Sequence, residues 1–382
     1  MNGDRYARQR LIEGWNQERL HQARLLVIGA GALGNETLKN LALLGIGHIT
    51  LVDIDQVETS NLSRTVLFTE QDIGKPKVDA AAAGLMRLNP EIQLDTIFGD
   101  IFLDVGLGFY RHSDLVIGCL DNLAARAQVG RCASLAGIPY LDGGMWAMGG
   151  EVRWFMSKDA PCFDCTLSDE DLLRAEQRLS CTGFREQDVP PNEMPTVATT
   201  SAIIGGLIAQ EAVRWLHGYP VQEGKALVYN GQALTLHRAQ LTRKPNCRSS
   251  HFPYLEVIEL PARASQHTPR QLLQQAHRLF SAQAALYLNL GRDFLLALTC
   301  PNGHKQQEVF LPWAKVSADQ QPCPQCGAAR RTEIINTISE EDILYLDWPL
   351  ARLGVPAGEV LAVHAMDHLQ LFELSGDIEM GK

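Results

Sequence analysis

Long hydrophobic runs are absent from this 382-residue sequence. No stretch approaches the roughly 20 apolar residues that a helix needs to cross a bilayer, and the polar first residues lack the apolar core of a signal peptide. An excess of positive charge is absent as well, since 34 lysines and arginines stand against 44 acidic residues, for a formal net charge of −10. We therefore expect a cytosolic protein that does not bind nucleic acid or anionic membranes non-specifically.

The cysteine pattern does not indicate a disulfide framework. The nine cysteines include closely spaced pairs, which are typical of metal sites in a reducing compartment. Hydrophobic residues make up 46% and charged residues 20% of the sequence, so disorder, collagen and coiled coil are excluded as the main architecture. At roughly 100–200 residues per domain, the length predicts two or three domains.

Apolar runs alternate with helical patterns over the first 145 residues. The runs predict buried strands at 25–28, 49–52, 92–98, 115–119 and 138–141, and the stretches between them include helices at 74–88 and 122–136. Strands that alternate with helices predict an α/β fold with a parallel, doubly wound, Rossmann-like sheet. The strand ends then carry polar residues, namely Asp53, Asp121 and Asp142, on the side where ligands bind such sheets.

The remaining sequence divides into further segments. We expect an ATP-binding domain over 1–245, which includes a long polar crossing segment at about 159–195 and a helix at 197–217. An α+β region with a zinc ribbon is predicted over 246–330, with strands at 255–260 and 308–312, a helix at 269–280, and a hairpin at 285–299 that turns at Gly291 and Arg292. Residues 331–382 carry no motif with a readable mechanism.

A glycine motif lies between the first predicted strand and its helix. Gly29 and Gly31 allow a tight turn and a close approach of phosphate, and the helix that follows Gly34 offers amide donors and a partial positive charge. Asp53, at the tip of the second strand, can accept hydrogen bonds from ribose hydroxyls. The motif predicts an adenine nucleotide site but does not separate NAD from ATP. A purely structural glycine turn is the alternative.

The residues after Asp53 and Asp55 favour a triphosphate. Asn61, Arg64 and Lys77 place a polar amide and two cations after the ribose site. Hydride transfer has no need of such cations, whereas the charge that builds up on a triphosphate during adenylation must be neutralised. Asp121 could hold magnesium, which prefers oxygen ligands. The alternative is that Arg64 and Lys77 are solvated surface charges.

The sequence resembles the ThiF/MoeB/HesA family, which includes ubiquitin-activating enzymes and adenylyltransferases for sulfur-carrier proteins. The resemblance covers about residues 1–245 and rests on the segments 5–9, 29–34, 53–55, 60–64, 76–78 and 119–122. It implies that Asp53 holds the ribose, that Asn61, Arg64 and Lys77 contact the triphosphate, and that Asp121 serves magnesium. It also implies a homodimer in which Arg8 reaches the triphosphate of the opposite subunit. The activated group in this family is the C-terminal glycine carboxylate of a small β-grasp protein.

Two sets of cysteines have metal-ligand spacing. Cys162 and Cys165 form a half-site, which the family usually completes with a second cysteine pair. That pair is missing here, so Cys247 and His251 are the predicted remaining ligands; the alternative is that His251 is a surface residue. The second set resembles a zinc ribbon and consists of Cys300, Cys323 and Cys326, with His304 as the candidate fourth ligand. Incidental cysteines are the alternative for this set.

Three cysteines lie outside these sets. Cys119 ends a predicted core strand and Cys132 lies within a helix, so both are expected to be buried structural residues. Cys181 lies in the crossing segment, where thioester-forming members of the family carry the cysteine that takes the acyl group from the adenylate. We predict that Cys181 is this nucleophile, with an ordinary loop thiol as the alternative.

The leading hypothesis is an ATP- and magnesium-dependent activating enzyme for a ubiquitin-like protein. It would adenylate that protein, form a thioester on Cys181 and pass the protein to a conjugating enzyme, and the resemblance suggests a bacterial antiviral conjugation system as its setting. The second hypothesis is an adenylyltransferase for a sulfur carrier of thiamine or molybdopterin synthesis, without a durable thioester. The region after Cys247 disfavours that reading. An NAD-linked oxidoreductase and a non-catalytic scaffold rank lower.

Overall fold

The computed structural model describes residues 4–156, 158–172, 196–247, 249, 251, 253–254, 256–280, 285–365 and 368–378. These residues form two β-sheets. The first sheet consists of β1 (Arg24–Ile28), β2 (His48–Asp53), β3 (Gln93–Phe98), β4 (Leu115–Gly118), β5 (Tyr140–Trp146), β6 (Gly149–Phe155), β7 (Lys225–Asn230) and β8 (Thr235–Gln240). Its spatial order is β3-β2-β1-β4-β5-β6-β7-β8.

The first half of this sheet is parallel, as predicted. β3, β2, β1, β4 and β5 pair in parallel, and the direction of winding changes between β1 and β4. The carboxyl ends of β1 and β4 therefore lie side by side at the switch point, where doubly wound sheets bind their ligands. β6, β7 and β8 add an antiparallel extension that the sequence analysis did not predict.

Helices cover both faces of the first sheet. They are α1 (Gln17–Gln22), α2 (Ala32–Leu44), α3 (Lys77–Leu88), α4 (Leu107–Arg111), α5 (Leu123–Ala136) and α6 (Ala198–Leu216). Alternate residues of β1 face opposite sides: Leu25 and Val27 pack with α2, α3 and α6, whereas Leu26 and Ile28 pack with α4 and α5. Burial of both faces explains why β1 is apolar almost throughout. Within the described ranges, none of the helices combines the length and apolar composition needed to cross a bilayer.

The second sheet is built from the C-terminal part of the chain. It consists of β9 (Val257–Leu260), β10 (Tyr287–Thr299), β11 (Gln307–Pro312), β12 (Arg331–Ser339), β13 (Val360–Ala365) and β14 (His368–Leu374). Its path is β11-β10-β13-β14-β9, and β12 also pairs with β10. The segments that the sequence analysis separates at residue 330 thus contribute strands to one sheet. α7 (Pro269–Leu279), capped by Thr268, buries its apolar side against it.

The predicted hairpin at Gly291 and Arg292 is wrong. β10 runs without interruption from Tyr287 to Thr299, pairing with β13 in its first half and with β11 in its second half. Gly291 has φ +69°, and the register with β12 shifts between Asn289 and Phe294. The glycine therefore permits a bulge within one long strand rather than a reversal of the chain.

The two sheets meet where α4 approaches the loop before β13. The backbone amides of Gly106 and Gly108 donate to the carbonyl oxygens of Ala357 and Gly358, at 3.1 and 2.8 Å. A Cβ atom on Gly106 would lie 2.4 Å from backbone atoms of that loop, so this close approach needs glycine. Ion pairs support the contact: fully buried Glu373 binds Arg111 (2.6 Å) and His112 (2.5 Å), and Arg292 binds Glu359 (2.8 Å).

The Glu373 cluster makes this contact pH-dependent. The hydrogen bond to Glu373 raises the pKa of His112 above its ordinary value of 6.5, although burial opposes the shift. Burial raises the pKa of Glu373, but His112 and Arg111 outweigh it and bring the value below 4.5. Glu259, 4.0 Å from His112, acts in the same direction on the imidazole. The contribution of His112 to the free energy of unfolding is thus complete below the pKa of the unfolded state, and it is lost as pH rises through the pKa of the folded state. The contribution of Glu373 is lost in acid, as pH falls through its folded-state pKa.

We therefore expect the stabilising effect of His112 to decrease with rising pH. The melting temperature of His112→Gln should lie further below that of the wild type at about pH 6 than at about pH 9. His277→Gln is the matched control, because His277 pairs with exposed Glu340 and exposed ion pairs contribute little to stability. A His112→Gln deficit that stays constant or increases toward high pH would contradict the assignment.

Candidate nucleotide and metal sites

The glycine turn lies between β1 and α2 at the switch point of the first sheet. Gly29 has φ +100°, and a Cβ atom there would lie 2.5 Å from the Cys119 carbonyl oxygen. A Cβ atom on Gly34 would lie 2.0 Å from the Gly29 carbonyl oxygen, whereas one on Gly31 would meet nothing within 4 Å. Gly29 and Gly34 are therefore required for packing, and Gly31 faces open space at the start of α2. No side chain among the described residues caps this helix terminus, which leaves its first amides available to an anion.

Asp53 holds the glycine turn against the end of β2. Its carboxylate accepts hydrogen bonds from the amides of Ala30 (2.6 Å) and Asp55 (2.8 Å). Burial raises the pKa of Asp53, and the charge of Lys77 opposes that shift. Each carboxylate oxygen has two lone pairs, so Asp53 retains acceptor capacity for a ribose hydroxyl.

Lys77 and Asp55 form an ion pair beside this carboxylate. The Lys77 side chain is only 12% exposed, and its Nζ lies 2.8 Å from Asp55 Oδ2. The Lys77 backbone amide also donates to the Asp55 carbonyl oxygen, at 2.9 Å. These two contacts thus fix the start of α3 to Asp55, which follows β2. They place the Lys77 ammonium group close to Asp53.

Asn61 and Arg64 lie in the short 3₁₀ helix Thr59–Ser63 and its end. Buried Asn61 accepts a hydrogen bond from the Glu58 amide at 3.0 Å and so caps this helix. Arg64 donates from Nη1 to the Ser60 carbonyl oxygen at 2.7 Å. This segment is tied to the Lys77 region because the Val57 amide donates to the Lys75 carbonyl oxygen at 2.9 Å.

Asp121 follows β4 at the same edge of the sheet as the glycine turn. Its side chain is exposed, and no hydrogen bond or ion pair engages it within the part of the chain that the structure describes. The next residue, Asn122, caps α5 by accepting from the Ala125 amide at 2.8 Å. A free carboxylate at the edge of a phosphate site fits magnesium, which binds one or two carboxylates together with substrate phosphates.

Arg8 stands apart from this arrangement. It is exposed near the start of the described residues, and its guanidinium makes no hydrogen bond or ion pair within them. Direct contacts link the glycine turn, Asp53, Asp55 and Lys77, and Gly31 lies within that turn. Within the described residues, no contact connects Arg8 to this group.

The first cysteine set forms a compact four-ligand cluster. Cys162 lies 3.7 Å from Cys165 and 3.6 Å from Cys247, measured between sulfur atoms, and Cys165 Sγ lies 3.7 Å from His251 Nε2. A tetrahedral zinc with bonds of about 2.3 Å to sulfur separates its sulfur ligands by about 3.8 Å, so this geometry fits zinc. His251 is 7% exposed, so the alternative of a surface histidine is wrong.

The second set forms a similar cluster in the C-terminal sheet. Cys300 Sγ lies 3.4 Å from His304 Nδ1 and 3.6 Å from Cys326 Sγ, and Cys323 Sγ lies 3.5 Å from the same histidine nitrogen. All four ligand atoms lie within 4.8 Å of one another. This cluster, which includes His304, also fits a tetrahedral zinc.

We expect metal analysis of the purified protein to find about two zinc ions per chain. Cys162→Ala should remove one of them and Cys323→Ala the other, because each variant deletes one thiolate of one cluster. Each variant also serves as the control for the other. One zinc or none in the wild type would eliminate at least one of the two sites.

The remaining cysteines differ in position. Burial raises the pKa of Cys119 and of Cys132 to about 12, so both thiols stay protonated at neutral pH and are poor nucleophiles. Cys181 lies outside the described residues.

A buried charged cluster beside the site was not predicted. Fully buried Asp142, in β5, accepts hydrogen bonds from Arg126 of α5, Arg153 of β6 and the Tyr140 hydroxyl. The sequence signal was limited to Asp142 at the end of a predicted strand, because the two arginines come from other elements.

Comparison with known proteins agrees with this geometry. The molybdopterin-synthase adenylyltransferase of Escherichia coli K12 is 32% identical over 249 residues, which are 64% of this chain and 94% of that protein. The SAMP-activating enzyme E1 of Haloferax volcanii is 28% identical over 255 residues, which are 64% of this chain and 87% of that protein. The crystal structure of E. coli MccB with ATP has the same fold, with a TM-score of 0.52, 22% identity, and coverage of 65% of this chain and 74% of that one. The sequence model of the ThiF family matches residues 5–249, well over half of the sequence, and the chain therefore belongs to the ThiF family.

Proposed function

We propose that this protein uses ATP to adenylate the C-terminal carboxylate of a ubiquitin-like β-grasp protein. The observation that carries the proposal is the edge formed by β1, β2 and β4, where an uncapped helix terminus, the Lys77 cation and the free Asp121 carboxylate follow neighbouring strands. Amides and cations bind phosphates, and a carboxylate supplies a magnesium ligand. Relatives named adenylyltransferase or activating enzyme support the same chemistry.

The residues of this chain would act on the triphosphate as follows. Asp53 accepts hydrogen bonds from the ribose, and the amides at the start of α2 bind phosphate oxygens. A carboxylate oxygen of the protein substrate attacks the α-phosphorus, the bond to the β-phosphate oxygen breaks, and an acyl-adenylate and pyrophosphate result. Lys77 and Arg64 neutralise the negative charge that moves onto the leaving pyrophosphate. Magnesium, when bound through Asp121, would shield the same charge.

The second step that we propose involves Cys181. Its thiolate would attack the acyl carbonyl and release AMP, and the resulting thioester would be handed to the thiol of a conjugating enzyme. The competing proposal is a sulfur-carrier adenylyltransferase, in which the acyl-adenylate is consumed without a durable thioester. It is favoured by the relatives named molybdopterin-synthase adenylyltransferase and sulfur carrier protein adenylyltransferase.

Non-reducing gel electrophoresis separates the two proposals. The enzyme is mixed with ATP, magnesium and a candidate ubiquitin-like β-grasp protein that ends in glycine. We expect a thiol-sensitive adduct that Cys181→Ala loses while pyrophosphate exchange continues. Cys132→Ala is the matched control, because burial raises the pKa of that thiol to about 12. Pyrophosphate exchange without any adduct would contradict the thioester and support the sulfur-carrier reading.

We further propose a homodimer in which exposed Arg8 reaches the triphosphate bound to the opposite subunit. The isolation of Arg8 from the site supports this arrangement, since an arginine that no described residue of its own chain engages is available to another chain. Both zinc clusters would be structural.

An antiviral conjugation system remains the proposed biological setting, and the absence of neighbouring genes for conjugating and deubiquitinating proteins would count against it.

A further inference from the structure

The Asp142 cluster concentrates charge in the interior of the protein, beside the nucleotide edge. This name denotes the carboxyl edge of β1, β2 and β4, where we propose that ATP binds. Arg126 donates from Nε to Asp142 Oδ1 (3.0 Å) and from Nη2 to Oδ2 (2.6 Å). Arg153 donates to Oδ2 from Nε and Nη2, at 3.0 and 2.8 Å, and the Tyr140 hydroxyl donates to Oδ1 at 2.8 Å. Burial would raise the pKa of Asp142, but the two guanidinium groups outweigh it and hold the pKa at about 2.

Such a cluster is a poor device for stability alone. Removing charges from water costs energy that the ion pair barely recovers, and apolar residues of similar volume often serve as well. What a bidentate arginine does supply is a fixed geometry. The pair of Arg126 and Asp142 therefore fixes α5 against β5.

Arg126 lies in the first turn of the helix that follows Asp121. Asn122 caps α5, and the Arg126 amide donates to the Asn122 carbonyl oxygen at 3.2 Å. Asp142 pairs in register with Gly118, the last residue of β4. The connection from β4 to α5, which carries Asp121, thus begins beside Asp142. It ends at α5, and the ion pair between Arg126 and Asp142 anchors that helix.

The backbone around Arg126 supports this reading. A Cβ atom on Gly144 would lie 2.7 Å from Arg126 Nη2, so the guanidinium lies directly over the glycine backbone of β5. The central carbon of the guanidinium also lies 5.5 Å from the centroid of the Phe163 ring. Arg126 is therefore restricted to one position, and α5 is restricted with it.

We propose that Arg126 is a positioning residue, which acts through Asp142 to orient Asp121 toward the divalent cation of the bound nucleotide. The inference rests on the proposed function, because it takes Asp121 to be the cation ligand. A supporting residue outside the direct ligands of a metal site affects metal affinity by about 10- to 100-fold in other proteins.

The test uses Arg126→Lys, which keeps the positive charge but loses the two-pronged contact with the carboxylate. Arg111→Lys is the matched control, because Arg111 binds the equally buried carboxylate of Glu373 away from the nucleotide edge. Binding of Mn²⁺, a spectroscopic substitute for Mg²⁺, is measured by electron paramagnetic resonance with a non-hydrolysable ATP analogue present. Thermal unfolding of each full-length variant is measured in parallel.

We expect Arg126→Lys to weaken Mn²⁺ binding at least about 10-fold, while Arg111→Lys binds as the wild type does. Tyr140→Phe, which removes one hydrogen bond from Asp142 and keeps the ring, should shift Mn²⁺ affinity in the same direction by less, and it replaces Arg126→Lys if that variant does not fold. Wild-type Mn²⁺ affinity in Arg126→Lys would overturn the inference but leave the proposed function standing. If Arg126→Lys does not fold, wild-type Mn²⁺ affinity in Tyr140→Phe would have the same meaning. The absence of Mn²⁺ and nucleotide binding in the wild type would instead overturn both.

Discussion

Replacing Asp121 by alanine should reduce ATP–pyrophosphate exchange at least about 100-fold. The reason is that a bound divalent cation contributes several kcal/mol of charge stabilisation in phosphoryl chemistry. Asp121 is an exposed carboxylate at the carboxyl edge of the sheet, and no described residue engages it. The exchange of radiolabelled pyrophosphate into ATP is measured with the protein substrate present. Asp319→Ala, which removes an exposed carboxylate in the C-terminal part of the chain, should exchange as the wild type does.

The same assay addresses the role of Arg8. If Arg8 completes the site of the opposite subunit, Arg8→Ala should also lose exchange, and mixing it with Asp121→Ala should restore part of the activity. In such a mixed dimer one of the two sites contains neither substitution. Wild-type exchange in Asp121→Ala would remove the magnesium assignment, and no recovery on mixing would remove the shared site.

Two glycine substitutions should separate folding from nucleotide binding. In Gly34→Ala the new methyl group would lie 2.0 Å from the Gly29 carbonyl oxygen, so the turn must shift, at a cost of about 1–3 kcal/mol in stability, and ATP binding should be lost with it. In Gly31→Ala the methyl group meets no atom of the described residues within 4 Å. Its melting temperature should match the wild type, but ATP should bind at least about 10-fold more weakly, because the methyl group occupies the space in front of the α2 amides.

Calorimetric titration with ATP and thermal unfolding of both variants are the required measurements. Gly206→Ala is a suitable control, since its methyl group would also meet nothing within 4 Å and Gly206 lies within α6. Undiminished ATP binding by Gly31→Ala would contradict the placement of phosphate at the start of α2.

The parts of the fold that could be predicted depend on local signals. The buried run of β1, the glycine turn and the polar residue at the end of β2 are neighbours in sequence, so their pattern alone predicted a strand, a turn and a polar strand end that the structure contains. β8 was missed because all but one of its residues are exposed, which leaves no alternation of apolar and polar residues. At Gly291 the glycine predicted a turn, and only the pairing of β10 with two partners along its length shows that it permits a bulge.

The candidate site residues divide in the same way, into those that a local pattern predicts and those that only the fold brings together. Asp53, Lys77 and Asp121 follow strand ends or begin a helix, and the sequence therefore predicted them as candidates for the site. The contacts of Asp142 with Arg126 and Arg153 span 16 and 11 residues and join three elements, and no spacing rule pairs such residues. The joining of Cys165 to His251 across 86 residues could be anticipated only because the chemistry of a cysteine half-site requires further ligands.

The decisive measurement is ATP–pyrophosphate exchange with a candidate ubiquitin-like β-grasp protein as substrate. Three reactions are compared: enzyme alone, enzyme with the intact protein, and enzyme with the same protein lacking its C-terminal residue. The proposed function predicts magnesium-dependent exchange with the intact protein only, because the C-terminal carboxylate of the ubiquitin-like protein is the group that attacks the α-phosphorus. Exchange that is unchanged by the truncation, or no exchange with the intact protein, would contradict it.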